Sequence, residues 1–543
     1  MFHANRMEEL YRNIQQGIFI PRISTATFNQ VGSGINFFYP WLLLYPWVLL
    51  RLITNNPISA FYLYIVLETF VTFSISYYGM HKYSGSKRRA IIFSLIYTFA
   101  NYRLFLVFHQ DVLAESIAYT FLPLVLLGFY EVFFRDKKKW PLLAIGMSLL
   151  LYSHMLTTAL TAIFLLITLL VFWRDIVGKK ARMLAAIKAV GLSVLLTAFY
   201  LFPFIEQTLG NHLRASWTGF NFIQQPMQVI EFSINNEPDP TIGFLLILTV
   251  LLGFTYLKKV PVLEKYSYFA GLLLVLTTSL FPWGKFLDTP IANLQFPYRL
   301  NDLATVMLCI YLSLIIDNMF VKLKVDYRVT TIFPLSALII ITFGLVFTTS
   351  HQIINQRLNT NVPMLNKRPT PENYYPAGNG AYYNLTSKNW HNMFYYYGHN
   401  GSFDYFPIAV KGEINALVVT HQAIVDGKKV SFADRLTSKP NQLEYDLSGI
   451  KAGTNVKLPV LYYKNDLIKI GSGRFEKPTV TKVDTIQVRV PRHNKKAIIK
   501  YHNSVLDNSS LIISLVTWLG VLVIYITGIA RKKKNYETVS KAN

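Results

Sequence analysis

The sequence predicts an α-helical polytopic membrane protein with one β-rich, sandwich-like domain outside the membrane, placed just before the last span. Three observations carry this expectation. Hydrophobic residues make up 52% of the 543 and charged residues only 15%, so most of the chain cannot form a soluble globule. Apolar stretches of about 20 residues, long enough to cross the hydrocarbon layer, recur along the chain. One long polar segment, 351–509, interrupts them, and its second half alternates as strands do.

The opening segment, 1–57, reads as an interfacial loop on the outer side. His3, Met7, Leu10 and Ile14 recur at helical spacing, with Arg6, Glu9 and Asn13 on another side, until Gly17 and Pro21 stop the pattern. This predicts a short amphipathic helix lying at a membrane surface. A Gly-rich turn follows at Gly32 to Gly34. The aromatic run Phe37-Phe38-Tyr39-Pro40-Trp41 then suits the headgroup layer. No early uninterrupted apolar core is present, which excludes a secretory signal. Residues 37–54 carry Pro40, Pro46, two Trp and Arg51, and so are expected to lie embedded at the interface instead of crossing it.

Spans are expected at 58–80, 90–108, 113–134, 183–205, 240–257, 266–283, 299–318, 328–350 and 510–530. The run 140–173 is too long for one span, and its break at Tyr152-Ser153-His154 makes two, giving eleven in all. The basic clusters then fall on one side: Lys82/Lys87/Arg88/Arg89, Arg135/Lys137/Lys138/Lys139, Arg174/Lys179/Lys180/Arg182, Lys258/Lys259/Lys265, Lys322/Lys324/Arg328 and Arg531 to Lys534. That side is the cytoplasm by the positive-inside rule, which also accounts for the net charge of +24 without a nucleic-acid partner. The same parity puts the opening loop outside, so a further span upstream of Met1 is expected. The expected organisation is thus a bundle over 58–350, an extracytoplasmic domain over 351–509, a final span over 510–530 and a cytoplasmic tail over 531–543.

Within 351–509, 21 Lys and Arg face 11 Asp and Glu, a local charge near +10 that suits either anionic envelope polymers or solubility alone. VKLPVLYYKNDLIKI and TIQVRVPRHNKKAIIKY alternate between Gly- and Pro-containing turns, which predicts a small β-sandwich. The Tyr-, Asn- and Gly-rich stretch ENYYPAGNGAYYNLTSKNW is expected to form loops and short strands. The single cysteine, Cys309, excludes a disulfide framework and a cysteine metal cluster.

FHANRMEELYRNIQQG, VGSGINFFYPW, HQDVLAESIAYTFLPLVLLGFYE, YSHMLTTAL, LQFPYRLNDLA and FDYFP together resemble the bacterial 6-pyruvoyl-tetrahydropterin-synthase-related integral membrane proteins, over nearly the whole chain. That group is similar in layout to the C-type (GT-C) membrane glycosyltransferases. The pterin part of the label finds no support, since the eleven histidines are scattered with no close pair. The resemblance to C-type enzymes implies a polyprenyl-phosphate sugar donor and an envelope glycan or polymer acceptor. It also implies a long outer loop whose early carboxylate activates the acceptor or holds a divalent metal ion. His3 and Arg6 match the start of such a loop, with the expected carboxylate falling just before Phe2.

Sugar transfer from a lipid phosphate needs a carboxylate near the acceptor hydroxyl, a cation on the leaving phosphate and a cleft at the membrane face. Asp111 and Glu115 put two carboxylates at the start of a span, where they serve either catalysis or helix capping. Arg299 sits at the outer end of another span, as a bidentate phosphate ligand or a snorkelling anchor. Glu68 lies mid-span, where an unpaired charge is costly, and Arg103 is its expected partner, either in a structural ion pair or in a polar cavity that takes substrate. His154 donates to a phosphate or acceptor, or is simply hydrogen-bonded at its turn. Asp404 in FDYFP either caps the cleft or is an ordinary turn carboxylate. Against the glycosyltransferase reading stand a non-catalytic protein that binds or moves lipid-linked glycans and a membrane scaffold. The scaffold alone should tolerate loss of every one of these groups.

Overall fold

The computed structural model describes residues 2–110, 112–214, 218–322, 327–359, 386, 388–395 and 403–542. Most of the stretch 372–390, expected to form loops and short strands, lies outside them, as does Asp111.

Helix boundaries follow the sequence closely where caps are strong. Asn56 accepts the N–H groups of Ile58 and Ser59, Pro57 occupies the first turn, and Gly85 closes the helix Pro57–Ser84 in the left-handed region at φ 73°. Ser86 then caps Lys87–Thr98 through the Arg89 N–H. The helix Leu113–Phe134 is the buried centre of the bundle. Its Pro123 removes the bond that the Tyr119 carbonyl would accept. The Tyr97 hydroxyl donates to that carbonyl at 2.7 Å, and the Tyr119 hydroxyl donates to the Tyr97 carbonyl at 2.9 Å. Their rings stack with centroids 4.2 Å apart.

Among the described residues six helices are long and apolar enough to cross a membrane: Pro57–Ser84, Leu113–Phe134, Lys179–Gly210, Pro297–Val321, Leu335–Gln356 and Val505–Gly528. A seventh arises if Lys87–Thr98 and Asn101–His109, bent by 42°, count as one span. These match seven of the eleven expected spans, and the other four fall on shorter pieces. Residues 140–173 form Trp140–Leu151 and Met155–Val171, broken at the expected turn. Residues 240–257 and 266–283 give Phe244–Leu252 and Val262–Gly271, each continuing as a tighter 3₁₀ stretch. A nine-residue helix is about 14 Å long, well short of the hydrocarbon thickness. The ten-residue helix Tyr45–Thr54 is too short to span for the same reason, in line with the embedded reading of 37–54.

The opening helix, Phe2–Ile14, forms as expected but does not lie on a surface. His3, Asn5, Arg6, Met7, Glu8, Glu9, Leu10, Tyr11 and Asn13 are all buried. Its polar side finds protein partners in place of water. Glu9 accepts the N–H groups of Thr25, Ala26 and Thr27, the Thr27 hydroxyl and the Asn13 amide.

The domain before the last helix is the expected sandwich. Its strands are β1 Gln422–Val425, β2 Lys428–Ser431, β3 Leu436–Lys439, β4 Gln442–Asp446, β5 Asn455–Leu461, β6 Asp466–Ile470, β7 Thr479–Val480, β8 Thr485–Arg489 and β9 Lys496–Tyr501. They make two antiparallel sheets, ordered β2-β1-β5-β8-β7 and β3-β4-β9-β6. Phe432, Leu443, Tyr445, Val456, Ile486 and Ile499 fill the space between. A separate core ties the domain to the opening segment, joining Phe28, Val31 and Phe37 to Phe406, Leu461 and Tyr501. The last helix is fastened there too, by the buried pair Arg22–Asp507 at 3.1 Å and by the Tyr501 hydroxyl donating to Asp507 at 2.6 Å.

Candidate functional site

Where the opening segment, the bundle and the 403–407 loop meet, charged side chains from five stretches converge. Phe296 and Pro297 lead into the span that carries Arg299 and, one turn later, Asp302. Arg299 Nε donates to Glu115 Oε2 at 3.2 Å, and its Nη1 donates to the Leu294 carbonyl and to Gln295 Oε1 at 2.9 and 3.0 Å. The Tyr102 hydroxyl donates to the other Glu115 oxygen at 2.7 Å. Both Glu115 oxygens are therefore engaged, which makes this carboxylate an anchor for Arg299.

Asp302 is differently placed. It is 1% exposed and lies within electrostatic reach of Glu115 and Arg299. Its Oδ2 has a long contact of 3.5 Å from the Thr157 hydroxyl, while Oδ1 is buried with no hydrogen-bond partner. Thr157 also bonds His154 Nδ1 at 2.9 Å, and so links the histidine to the carboxylate.

The opening helix supplies the opposite wall. Arg6 donates to the Tyr39 and Pro40 carbonyls, meets His3 Nδ1 at 3.3 Å and stacks over the Tyr39 ring at 4.8 Å, while its Nε is buried without a partner. Burial lowers the Arg6 pKa to about 10, which leaves it charged at neutral pH. Burial first, and the Arg6 charge second, hold His3 well below its ordinary range, so its ring is neutral. His154 lies within reach of Arg6, Arg299 and His3. Over this wall sits the 403–407 loop. Tyr405 stacks on Phe38 at 4.7 Å, receives the Tyr463 hydroxyl on its carbonyl, and bonds with Arg214 through its N–H. Asp404 is within reach of Tyr39, at the edge of the cluster.

Of the residues expected to act, His3, Arg6, Glu115, His154 and Arg299 come together here. Glu68 and Arg103 form a separate pair at 3.7 Å. The Arg103 guanidinium meets Glu68, the Thr98 carbonyl and the Thr69 hydroxyl, while Arg103 Nε and Glu68 Oε2 are buried without a hydrogen-bond partner. Sequence reasoning missed Asp302, Tyr102 and Tyr39. For Asp302 the available signal was a second ionisable residue three positions after Arg299 in the same apolar stretch. Among the described residues no three His, Cys, Asp or Glu side chains gather in a metal-holding arrangement.

These elements define an integral membrane protein with a helical bundle, a buried polar cluster and a β-sandwich before its last helix. Residues 36–354, more than half of the chain, match the family described as 6-pyruvoyl-tetrahydropterin synthase related domain, membrane protein, and the chain belongs to that family. No curated protein matches it. Among solved structures it is similar to the arabinofuranosyltransferase AftD from mycobacteria, at 12% identity and TM-score 0.42, over 65% of this chain and 25% of that one. It is also similar to ArnT from Cupriavidus metallidurans, solved bound to undecaprenyl phosphate, at 12% identity and TM-score 0.34, over 65% of this chain and 70% of that one. The chain thus spans a quarter of the length of AftD, and at these scores neither likeness bears on what it does.

Proposed function

We propose that this protein is a cell-envelope glycosyltransferase of the bacterial cytoplasmic membrane, which takes its sugar from a polyprenyl-phosphate carrier at the outer face. One observation carries the reading. Arg6 and Arg299 bring fixed positive charge to a buried cluster that also holds an acceptor atom without a hydrogen-bond partner, Asp302 Oδ1, and a donor atom without one, Arg6 Nε. Buried atoms left open in this way call for a ligand or water.

The chemistry follows from that pairing of charges. An acceptor hydroxyl gives its proton to Asp302 as its oxygen attacks the anomeric carbon of the donor sugar. The bond from that carbon to the phosphate oxygen breaks, and the electron pair leaves with the phosphate. Arg299 and Arg6 neutralise the charge that develops there, with neutral His3 and His154 as hydrogen-bonding neighbours. Glu115 holds Arg299 in place. The basic clusters support an orientation with 351–509 outside and the tail after 530 in the cytoplasm.

The test uses the full chain in proteoliposomes with a radiolabelled polyprenyl-phosphate sugar and an envelope-glycan acceptor. Wild type should form labelled product, and Arg299→Ala and Asp302→Asn should each cut its rate by at least about 10². Transfer undiminished by both changes would overturn the site. Donor binding with no product from wild type would instead identify a carrier of lipid-linked glycans.

A further inference from the structure

The bundle contains a second site at its other end. A half-open cleft with a cavity volume of about 90 Å³ runs between spans and is lined by Gly79, Tyr83, Pro123, Tyr130, Phe164 and Val306 among others. Its lining is almost wholly apolar. Its far end, at Tyr130, lies fifteen residues beyond Glu115 on one helix, roughly 22 Å along it, while its near end, at Val306, lies one turn past Asp302.

The cleft is flanked by an excess of positive charge. Tyr83 donates to Glu264 at 3.0 Å, and Arg89 pairs with the same carboxylate at 3.3 Å. Asp317 is taken by Arg88 at 2.5 Å, and Glu131 by Lys139 at 2.7 Å and Arg135 at 3.6 Å. With these three carboxylates matched, Lys82, Lys87, Lys258, Lys259 and Lys265 form no ion pair among the described residues. The first four are exposed and Lys265 is half-buried. An apolar slot with unpaired cations at its mouth is complementary to one kind of molecule in a bilayer, a lipid with an apolar tail and an anionic head.

We propose that this cleft binds one anionic phospholipid, its acyl chain along the apolar lining of Leu126, Tyr130 and Phe164 and its phosphate against Lys82 and Lys265. Gly79 closes the floor of the cleft by letting its helix touch its neighbour, since a Cβ there would stand 3.3 Å from the Pro123 carbonyl oxygen. The site is independent of sugar transfer, and lipid retention is read without any activity.

The experiment places the full chain in nanodiscs of equal phosphatidylglycerol and phosphatidylcholine, releases it, and counts retained lipids by native mass spectrometry. Wild type should keep one phosphatidylglycerol in strong preference to phosphatidylcholine. Lys82→Gln with Lys265→Gln should cut that preference roughly 25-fold, at roughly fivefold per lysine. Leu126→Trp, which fills the cleft, should lose the retained lipid, and Thr168→Phe gives the same reading if that variant fails to fold. Equal retention of the two lipids by wild type would overturn the proposal. So would full retention by a folded cleft-filling variant.

Discussion

Two buried ion pairs meet the helix Leu113–Phe134 at neighbouring residues, and they differ instructively. Glu115 holds Arg299 at 3.2 Å, and Ser116, next in sequence, donates its hydroxyl to Glu68, which faces Arg103 at 3.7 Å. All four charged side chains are buried within apolar spans. Around Glu68 and Arg103 the neighbours are the hydroxyls of Thr69 and Ser116 and the Thr98 carbonyl. Around Glu115 and Arg299 stand Asp302, His154, Tyr102 and Tyr39, from stretches far apart in sequence. A buried charge in a membrane always demands a partner. Open buried atoms occur at both places, Glu68 Oε2 and Arg103 Nε as well as Asp302 Oδ1, so it is the convergence of several ionisable groups that marks the candidate site.

The largest effect expected from this contrast is on chemistry alone. Asp302→Asn should lower the rate of transfer by about 10²–10⁴, the worth of a general base, with melting of the purified protein little changed. Next come the arginines, which should separate activity from stability. Arg299→Ala and Arg103→Ala each leave a buried carboxylate unpaired, at a cost of about 3–5 kcal/mol in unfolding experiments. Only Arg299→Ala should remove transfer per folded molecule. If Arg103→Ala removes it as well, the two pairs act as one site.

A milder change sharpens the comparison. Replacing both partners with leucine removes the charges together, so Glu68→Leu with Arg103→Leu should be close to neutral in stability and keep activity. The same double change at Glu115 and Arg299 should fold and be inactive. The smallest effect lies outside the membrane, where burial lowers the His421 pKa to about 4 and raises that of Asp466 to about 8. For His421 the stabilisation is present above the unfolded value near 6.5 and is lost as pH falls toward 4. Between pH 6.5 and 5 that loss is roughly 2 kcal/mol. Asp466 acts with opposite sign, its contribution being lost as pH rises from near 4 to 8. Thermal melts across pH should therefore show a shallower acid limb in His421→Phe and a shallower alkaline limb in Asp466→Asn.

Much of this was legible in the sequence, for identifiable reasons. The strand-like alternation within 455–470 and 485–501, bounded by turns, pointed to the sandwich, although β5 buries its last four residues in a row. Long spans with strong caps, such as Pro57–Ser84, announce both ends. The helix Phe2–Ile14 was legible as a helix but not in its placement. An amphipathic pattern is the same whether its polar side meets water or the backbone of Thr25 to Thr27. Arg299 and Glu115 each stood out singly, yet 184 positions separate them, and local spacing cannot pair them. Asp302 was hidden because a carboxylate in the first turn of a helix has an ordinary role there.

The reciprocal tyrosine bonds at Pro123 have a consequence for how the chain enters its membrane. A lone Leu113–Phe134 helix would carry the Tyr119 carbonyl into lipid with nothing to bond it, at a cost of several kcal/mol. The donor, Tyr97, belongs to the element synthesised just before it. The two segments are therefore best released from the insertion machinery together, as a hairpin already closed at its middle. Tyr97→Phe should slow assembly more than it loosens the finished bundle.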